Sequence, residues 1–307
     1  MIMPSTTNLT ASLERQVILI TGASAGIGAA LALRLANDYP AIRLVLAARR
    51  AEVLEAIATD CRKLGAEVLP LPTDLTQVEQ VTTLVQKTMT QFGRIDALVN
   101  NAGYGQMGPI ELIPPESVQR QFQINLLGPL ILTQQIIPIL RAQGGGRIIN
   151  ISSLGGRLAF PFGGLYSGTK FALEGLSDAL RMELEPFNIR VSVIDPGPVK
   201  TEFFDVAKTR VEAAIAAPED TPYRAAFARL EKLEEQVNQR IWTPDQVATV
   251  IIKALSDRHP KPRYVAATGG NFLLFVMTKI LPTRFVDRFW QRFYGIDQVA
   301  KDWQSQQ

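Results

Sequence analysis

The chain has 307 residues, 47% hydrophobic and 20% charged, a globular composition long enough to bury a sizeable core. Net charge is +3, from 32 basic and 29 acidic side chains, a small excess without the clustered Lys/Arg face that nucleic acid requires. Cys61 and His259 are the sole cysteine and histidine, which excludes an intrachain disulfide, argues against a zinc site, and suits a reducing, cytoplasmic setting.

Residues 1–14 read as a polar N-terminal extension, without the basic start and apolar stretch of a signal peptide. No stretch approaches the roughly 20 apolar residues that span a bilayer. A continuous apolar run, Val17-Ile18-Leu19-Ile20, predicts a strand buried on both faces. It leads into Thr21-Gly22-Ala23-Ser24-Ala25-Gly26-Ile27-Gly28-Ala29 and then a helical pattern. Glycines between a strand and a helix let backbone N–H groups approach a pyrophosphate, and the helix N-terminus favours its charge. The loop lacks a Gly-Lys-Ser/Thr ending, so a nucleotide triphosphatase is not indicated.

The second strand ends Leu46-Ala47-Ala48-Arg49-Arg50. In dinucleotide folds an acidic residue about 20 positions past the glycines binds the ribose 2′-hydroxyl. Here arginines replace the acid, and Arg49 is read as the partner of a 2′-phosphate, hence NADP(H). The alternative for this pair is a solvated helix start. Further strands are predicted at Ala97-Leu98-Val99, Ile148-Ile149 with Ile151, and Val191-Ser192-Val193-Ile194. Helical spacing joins Val81, Leu84, Val85 and Thr88, and then Phe171, Leu173, Leu176, Leu180 and Leu184. Thr243 reads as an N-cap with Pro244 in the first turn. His259 falls in the turn His259-Pro260-Lys261-Pro262 and reads as a surface residue, which removes the histidine of a Ser-His-Asp hydrolase. Strands alternating with helices predict an α/β class: one domain with a doubly wound parallel sheet and helices on both faces. Residues 203–243 interrupt the rhythm and read as a lid. Residues 268–307 form an aromatic-rich helical extension, with Phe285, Phe289 and Phe293 at helical spacing beside Arg284, Arg288 and Arg292. That extension has two readings: a helix over the pocket or a neighbouring subunit, and a peripheral membrane contact.

Tyr166-Ser167-Gly168-Thr169-Lys170 places a phenol and an ammonium on one helical face. A fixed cation beside a phenol favours the phenolate. Such spacing alone is common, but with the glycine loop it resembles the short-chain dehydrogenase/reductase family, in its compact form, over residues 15–267. The stretch 155–170 and the following helix are similar to its retinol and hydroxysteroid dehydrogenase branch. The resemblance implies a Rossmann-type fold, an NADP(H)-dependent carbonyl reductase or alcohol dehydrogenase, and a homodimer or homotetramer. It implies Tyr166 as acid/base, Lys170 as its activator, Ser153 as hydrogen-bond donor to the substrate oxygen, and Asn125 as holder of a water. It assigns cofactor contacts to Gly22, Ser24, Gly26, Ile27, Gly28, Arg49, Asp74, Leu75, Asn101, Ala102, Gly103, Pro196, Val199 and Thr201, besides Tyr166 and Lys170. Ser152 competes with Ser153, but one step along a strand turns a side chain to the other face. Apolar residues around 104–107, 154–160 and 203–204 suggest a hydrophobic substrate. A cofactor-binding regulator on the same fold is the alternative; the complete Asn125, Ser153, Tyr166 and Lys170 set speaks for the enzyme.

Overall fold

The computed structural model describes residues 13–215, 217–237 and 241–306. Most of the expected N-terminal extension, residues 216 and 238–240 of the lid, and Gln307 of the tail lie outside the described residues. Seven parallel strands form one sheet in the order β3-β2-β1-β4-β5-β6-β7. They are β1 (Val17–Thr21), β2 (Arg43–Ala48), β3 (Glu67–Pro72), β4 (Ala97–Asn100), β5 (Gly146–Ile151), β6 (Ile189–Pro196) and β7 (Arg263–Ala266). The winding reverses between β1 and β4, paired through Ile18, Leu19 and Ile20 with Ala97, Leu98 and Val99. Ligands of open α/β sheets bind outside the carboxyl ends of strands at such a switch point.

Alternation along β1 divides the core into two layers. Ile18 and Ile20 pack with Leu31, Leu35, Val247 and Ile251, from α1 (Gly26–Asp38) and α9 (Pro244–Ser256). Val17 and Leu19 face the other layer, with Val81 and Leu84 of α3 (Val78–Phe92) and Leu132 and Ile136 of α5 (Gly128–Ala142). Both layers are built of buried, close-packed apolar side chains, so the sheet is a rigid platform for the loops at its carboxyl edge.

The strands of continuous apolar sequence lie as expected. β3 contains Pro70 and Pro72, and as an edge strand it tolerates their missing N–H groups. Thr243 caps α9 in a capping box with Gln246, and Pro244 opens that helix. His259 is exposed. Two expectations need correction. Phe171 is 46% exposed and off the buried stripe of α6 (Gly164–Leu184), which instead buries Tyr166, Lys170, Leu173, Glu174 and Ser177. The helical run Pro115–Ala142 is long and apolar enough to cross a bilayer by composition. Its Leu132, Ile136 and Leu140 are fully buried in the second layer, so here it serves as a wall of the fold.

Candidate active site

The glycine loop is shaped by contacts that leave no room for side chains. Gly22 adopts φ +65°, and a Cβ there would lie 2.9 Å from Ala102 Cα. A Cβ on Gly28 would lie 2.5 Å from the Gly22 carbonyl oxygen, so α1 can approach the strand only through glycine. Thr21 Oγ1 accepts from the Asn101 and Ala102 N–H groups, each at 3.0 Å, and Asn101 Nδ2 donates to the Thr21 carbonyl at 2.9 Å. These bonds lock the loops after β1 and β4 together across the switch point. Helix α1 starts after Ala25 with no side-chain cap, which leaves its first N–H groups for a ligand. This open cradle, with glycine at positions 22, 26 and 28, fits a dinucleotide pyrophosphate.

Fifteen of the sequence-assigned cofactor positions line one cavity of about 740 Å³: Gly22, Ser24, Gly26, Ile27, Arg49, Asp74, Leu75, Asn101, Ala102, Gly103, Tyr166, Lys170, Pro196, Val199 and Thr201. Ser153 lines it too, whereas Gly28 and Asn125 lie behind its wall. Asp74 Oδ1 accepts from the Thr76 N–H and hydroxyl, both at 2.9 Å. The strip holding Val199 is pinned from outside, because the Lys200 N–H donates to the Trp242 carbonyl at 2.9 Å. Arg49 makes no hydrogen bond or ion pair with a described residue, whereas Arg50 pairs with Glu202 at 3.2 Å and reaches the Ser24 carbonyl at 3.4 Å. Sequence reasoning passed over Arg50, which also lines the cavity.

Tyr166 and Lys170, one turn apart on α6, are both buried. Burial pushes the Tyr166 phenol up to about 12, while the Ser153 hydroxyl works to lower it. Burial brings the Lys170 ammonium down to about 8, opposed by Glu174 one turn on. Lys170 Nζ donates to the Ile151 carbonyl at 2.8 Å, which fixes it beneath the end of β5. Ser153 Oγ accepts from the Gly155 N–H at 3.0 Å, while Ser152 Oγ is buried without a partner among the described residues. Asn125 sits in a π-helical turn, Gln123–Leu127, an irregularity frequent at functional sites. Its amide donates to the Tyr104 carbonyl at 2.9 Å and accepts from the Tyr104 N–H at 3.0 Å. A Cβ on Gly103 would be 3.3 Å from Asn125 Oδ1 and 3.6 Å from Lys170 Nζ, so that glycine lets the amide and the ammonium approach one spot.

Behind Lys170 lies a pair that sequence reasoning missed. Asp195, on β6, is fully buried, and neither carboxyl oxygen has a hydrogen-bond partner among the described residues. Glu174 Oε1 is likewise unpartnered, while its Oε2 accepts from Arg263 Nε at 2.8 Å. Arg157 approaches Asp195 only to 3.7 Å. Burial and the adjacent Glu174 push the Asp195 carboxyl well above its ordinary range, so it stays protonated. The only sequence signal was Glu174 falling four residues after Lys170 on the same helix. The far end of the cavity is apolar, and the Phe203 ring stands edge-on to Tyr166 with centroids 5.4 Å apart. Leu274, Trp290, Phe293 and Tyr294 of the C-terminal tail complete that wall. No cluster of metal-ligating side chains occurs among the described residues.

Known proteins match this arrangement. The sequence profile described as short chain dehydrogenase matches residues 16–212, well over half the chain. Human 17-beta-hydroxysteroid dehydrogenase type 1 is 33% identical over 85% of this chain and 80% of its own. The 3-ketodihydrosphingosine reductase of Bacteroides thetaiotaomicron is 30% identical over 92% of this chain and all of its own. A short-chain dehydrogenase/reductase of Burkholderia phymatum, solved with NAD, superposes with TM-score 0.76 at 26% identity, covering 87% of this chain and 94% of that one. A metagenomic short-chain oxidoreductase solved with NADP gives TM-score 0.65 at 28% identity, over 83% and 98% of the two chains. The chain therefore belongs to the short-chain dehydrogenase/reductase family and is an oxidoreductase acting on an alcohol or carbonyl with a nicotinamide cofactor.

Proposed function

We propose that this protein is an NADP(H)-dependent reductase of hydrophobic, lipid-like ketones or aldehydes, with Tyr166 as proton donor. The observation that carries this reading is that Tyr166, Lys170 and Ser153 line a single cavity with a glycine cradle at one end and an aromatic wall at the other. The bound nicotinamide supplies the hydride. At neutral pH a phenol raised to about 12 keeps its proton, and an ammonium near 8 is largely charged. The pair is thus set to give a proton to a substrate oxygen as negative charge grows there, the direction of reduction. Ser153 donates a hydrogen bond to that oxygen, and Asn125 holds a water that links Lys170 to solvent. Gly22, Gly26 and Gly28 shape the pyrophosphate cradle, Asp74 holds the adenine, and Val199 and Thr201 hold the carboxamide.

The unpaired Arg49 on the cavity wall supports the choice of NADP(H), since its guanidinium is available to a 2′-phosphate. Leu158, Phe160, Phe203 and Trp290 support a lipophilic substrate, and two relatives are named for a hydroxysteroid and a ketodihydrosphingosine. Residues 15–267 are assigned to the cofactor and catalytic unit, 203–243 to a lid, and 268–307 to an extension over the cavity. Exposed Phe171 and Met182 on α6 support a homodimer, and the free thiol Cys61 suits a cytoplasmic setting. The test is a panel of steroid, sphingoid and short-chain carbonyls with NADPH and NADH. The reading expects NADPH-dependent turnover rising with substrate hydrophobicity. Preference for NADH, or for small polar carbonyls, would overturn the corresponding part.

A further inference from the structure

The tail has two faces, and only one is accounted for by the cavity. Helix α10 (Gly270–Phe275) runs through a π-helical turn, Val276–Ile280, and α11 (Thr283–Phe293) follows. Leu274 and Met277 on the first stretch and Val286 on α11 are buried. Four further apolar side chains point outward: Phe272 is 73% exposed, Phe275 56%, Ile280 59% and Phe285 60%. Exposed aromatics of this number on consecutive helices mark an interaction surface.

Its charge indicates what covers it. Residues 270–294 carry four cations, Lys279, Arg284, Arg288 and Arg292, against one carboxylate, Asp287; their surplus of three equals the net charge of the whole chain. On α11 the stripe of Arg284 and Arg288 borders the stripe of Phe285 and Phe289, as 100° per residue requires. None of the four cations forms an ion pair with a described residue. A second copy of the same face would bring cations against cations. An anionic bilayer surface answers both features, with rings among the upper acyl chains and long cationic side chains among the headgroups.

We propose that this tail face docks the protein on the surface of an anionic bilayer, with the cavity held close to the lipid. Both helices contribute to docking and cavity at once: Leu273 and Leu274 on α10, and Trp290 and Phe293 on α11, line the cavity wall. A lipophilic substrate then enters from the membrane without crossing bulk water. That last step rests on the proposed substrate class, whereas docking is read without turnover.

The experiment is co-sedimentation of the full chain with phosphatidylcholine vesicles, with and without phosphatidylserine, at low and high salt. Wild type is expected to sediment with the anionic vesicles and to be released by salt. Phe272→Ser/Phe275→Ser/Phe285→Ser and Arg284→Gln/Arg288→Gln should each lower the partition coefficient by roughly tenfold or more, with unchanged circular-dichroism melting. A wild type that stays in the supernatant overturns the proposal, as do variants that sediment like wild type. Equal binding to neutral vesicles overturns the anionic assignment. Dissociation of an oligomer by the phenylalanine variant, seen by sedimentation velocity, would reassign the face to a second copy.

Discussion

Asp195 and Glu174 make the stability of this protein depend on pH in a direction opposite to that of ordinary surface carboxylates. The native Asp195 carboxyl is raised, whereas in the unfolded chain it ionises near its usual value of about 4. Above that value the native state therefore holds one more proton than the unfolded state. Stability is fully present at acid pH, below the unfolded value, and is lost as pH rises toward and through the raised native one. Leaving a buried carboxylate without donors costs about 1–3 kcal/mol, the figure for unsatisfied buried polar groups. In a chain of this length that is roughly 2–5 °C in Tm. The assay is thermal unfolding at intervals between about pH 5 and about pH 7.5, a window below the Lys170 transition near 8, which acts in the opposite sense. Wild type should lose stability across the window. Asp195→Asn supplies a permanent N–H donor to Glu174 and should flatten the slope. Parallel slopes in the two proteins would refute the raised Asp195 carboxyl.

Other expectations follow from packing and charge. Gly28→Ala puts a methyl 2.5 Å from the Gly22 carbonyl; a lower Tm by about 1–3 kcal/mol of destabilisation and at least about tenfold weaker cofactor binding should appear together in melting and fluorescence titration. Affinity left intact in that variant would contradict the cradle. Arg49→Ala should weaken NADPH by roughly 10–100-fold, the worth of a charge-assisted hydrogen bond, and leave NADH nearly unchanged by calorimetry. Equal losses for both cofactors would remove Arg49 from the phosphate. Thr243→Ala breaks the capping box of α9 and should cost about 1 kcal/mol in denaturant melts, without effect on cofactor affinity.

Much of the fold was legible because its determinants are local. β1, β2 and β4–β6 each carry a short run rich in apolar, often β-branched residues, and Thr243-Pro244 announces a helix start by its own chemistry. β3 hides behind Pro70 and Pro72, since a periodicity argument cannot know that the strand lies at an edge. β7, Arg263-Tyr264-Val265-Ala266, opens on a charge and offers no apolar run to read. The site divides the same way. Tyr166, Lys170, Ser153 and the glycines could be found because they sit in motifs at fixed spacing. Asp195 could not, because its burial is decided by β5, β6 and α6 together. A tail helix over the pocket was one of two readings of the sequence, but that Trp290 and Phe293 line the same cavity as Phe203 and Phe160 is decided only when the chain has folded. Phe171 was misplaced because a leucine-rich stripe on α6 runs beside the face that carries the polar pair.

The central claim is that the Tyr166 phenol gives its proton to the reacting oxygen. Its most direct test is kcat/KM for NADPH-dependent reduction of the best carbonyl substrate in Tyr166→Phe, with NADPH affinity measured in parallel. The phenylalanine ring keeps the packing against Phe203 and removes only the hydroxyl. The account predicts a loss of about 10²–10⁴-fold in kcat/KM, the usual worth of a positioned general acid, with cofactor affinity nearly unchanged. Wild-type turnover in that variant would contradict it.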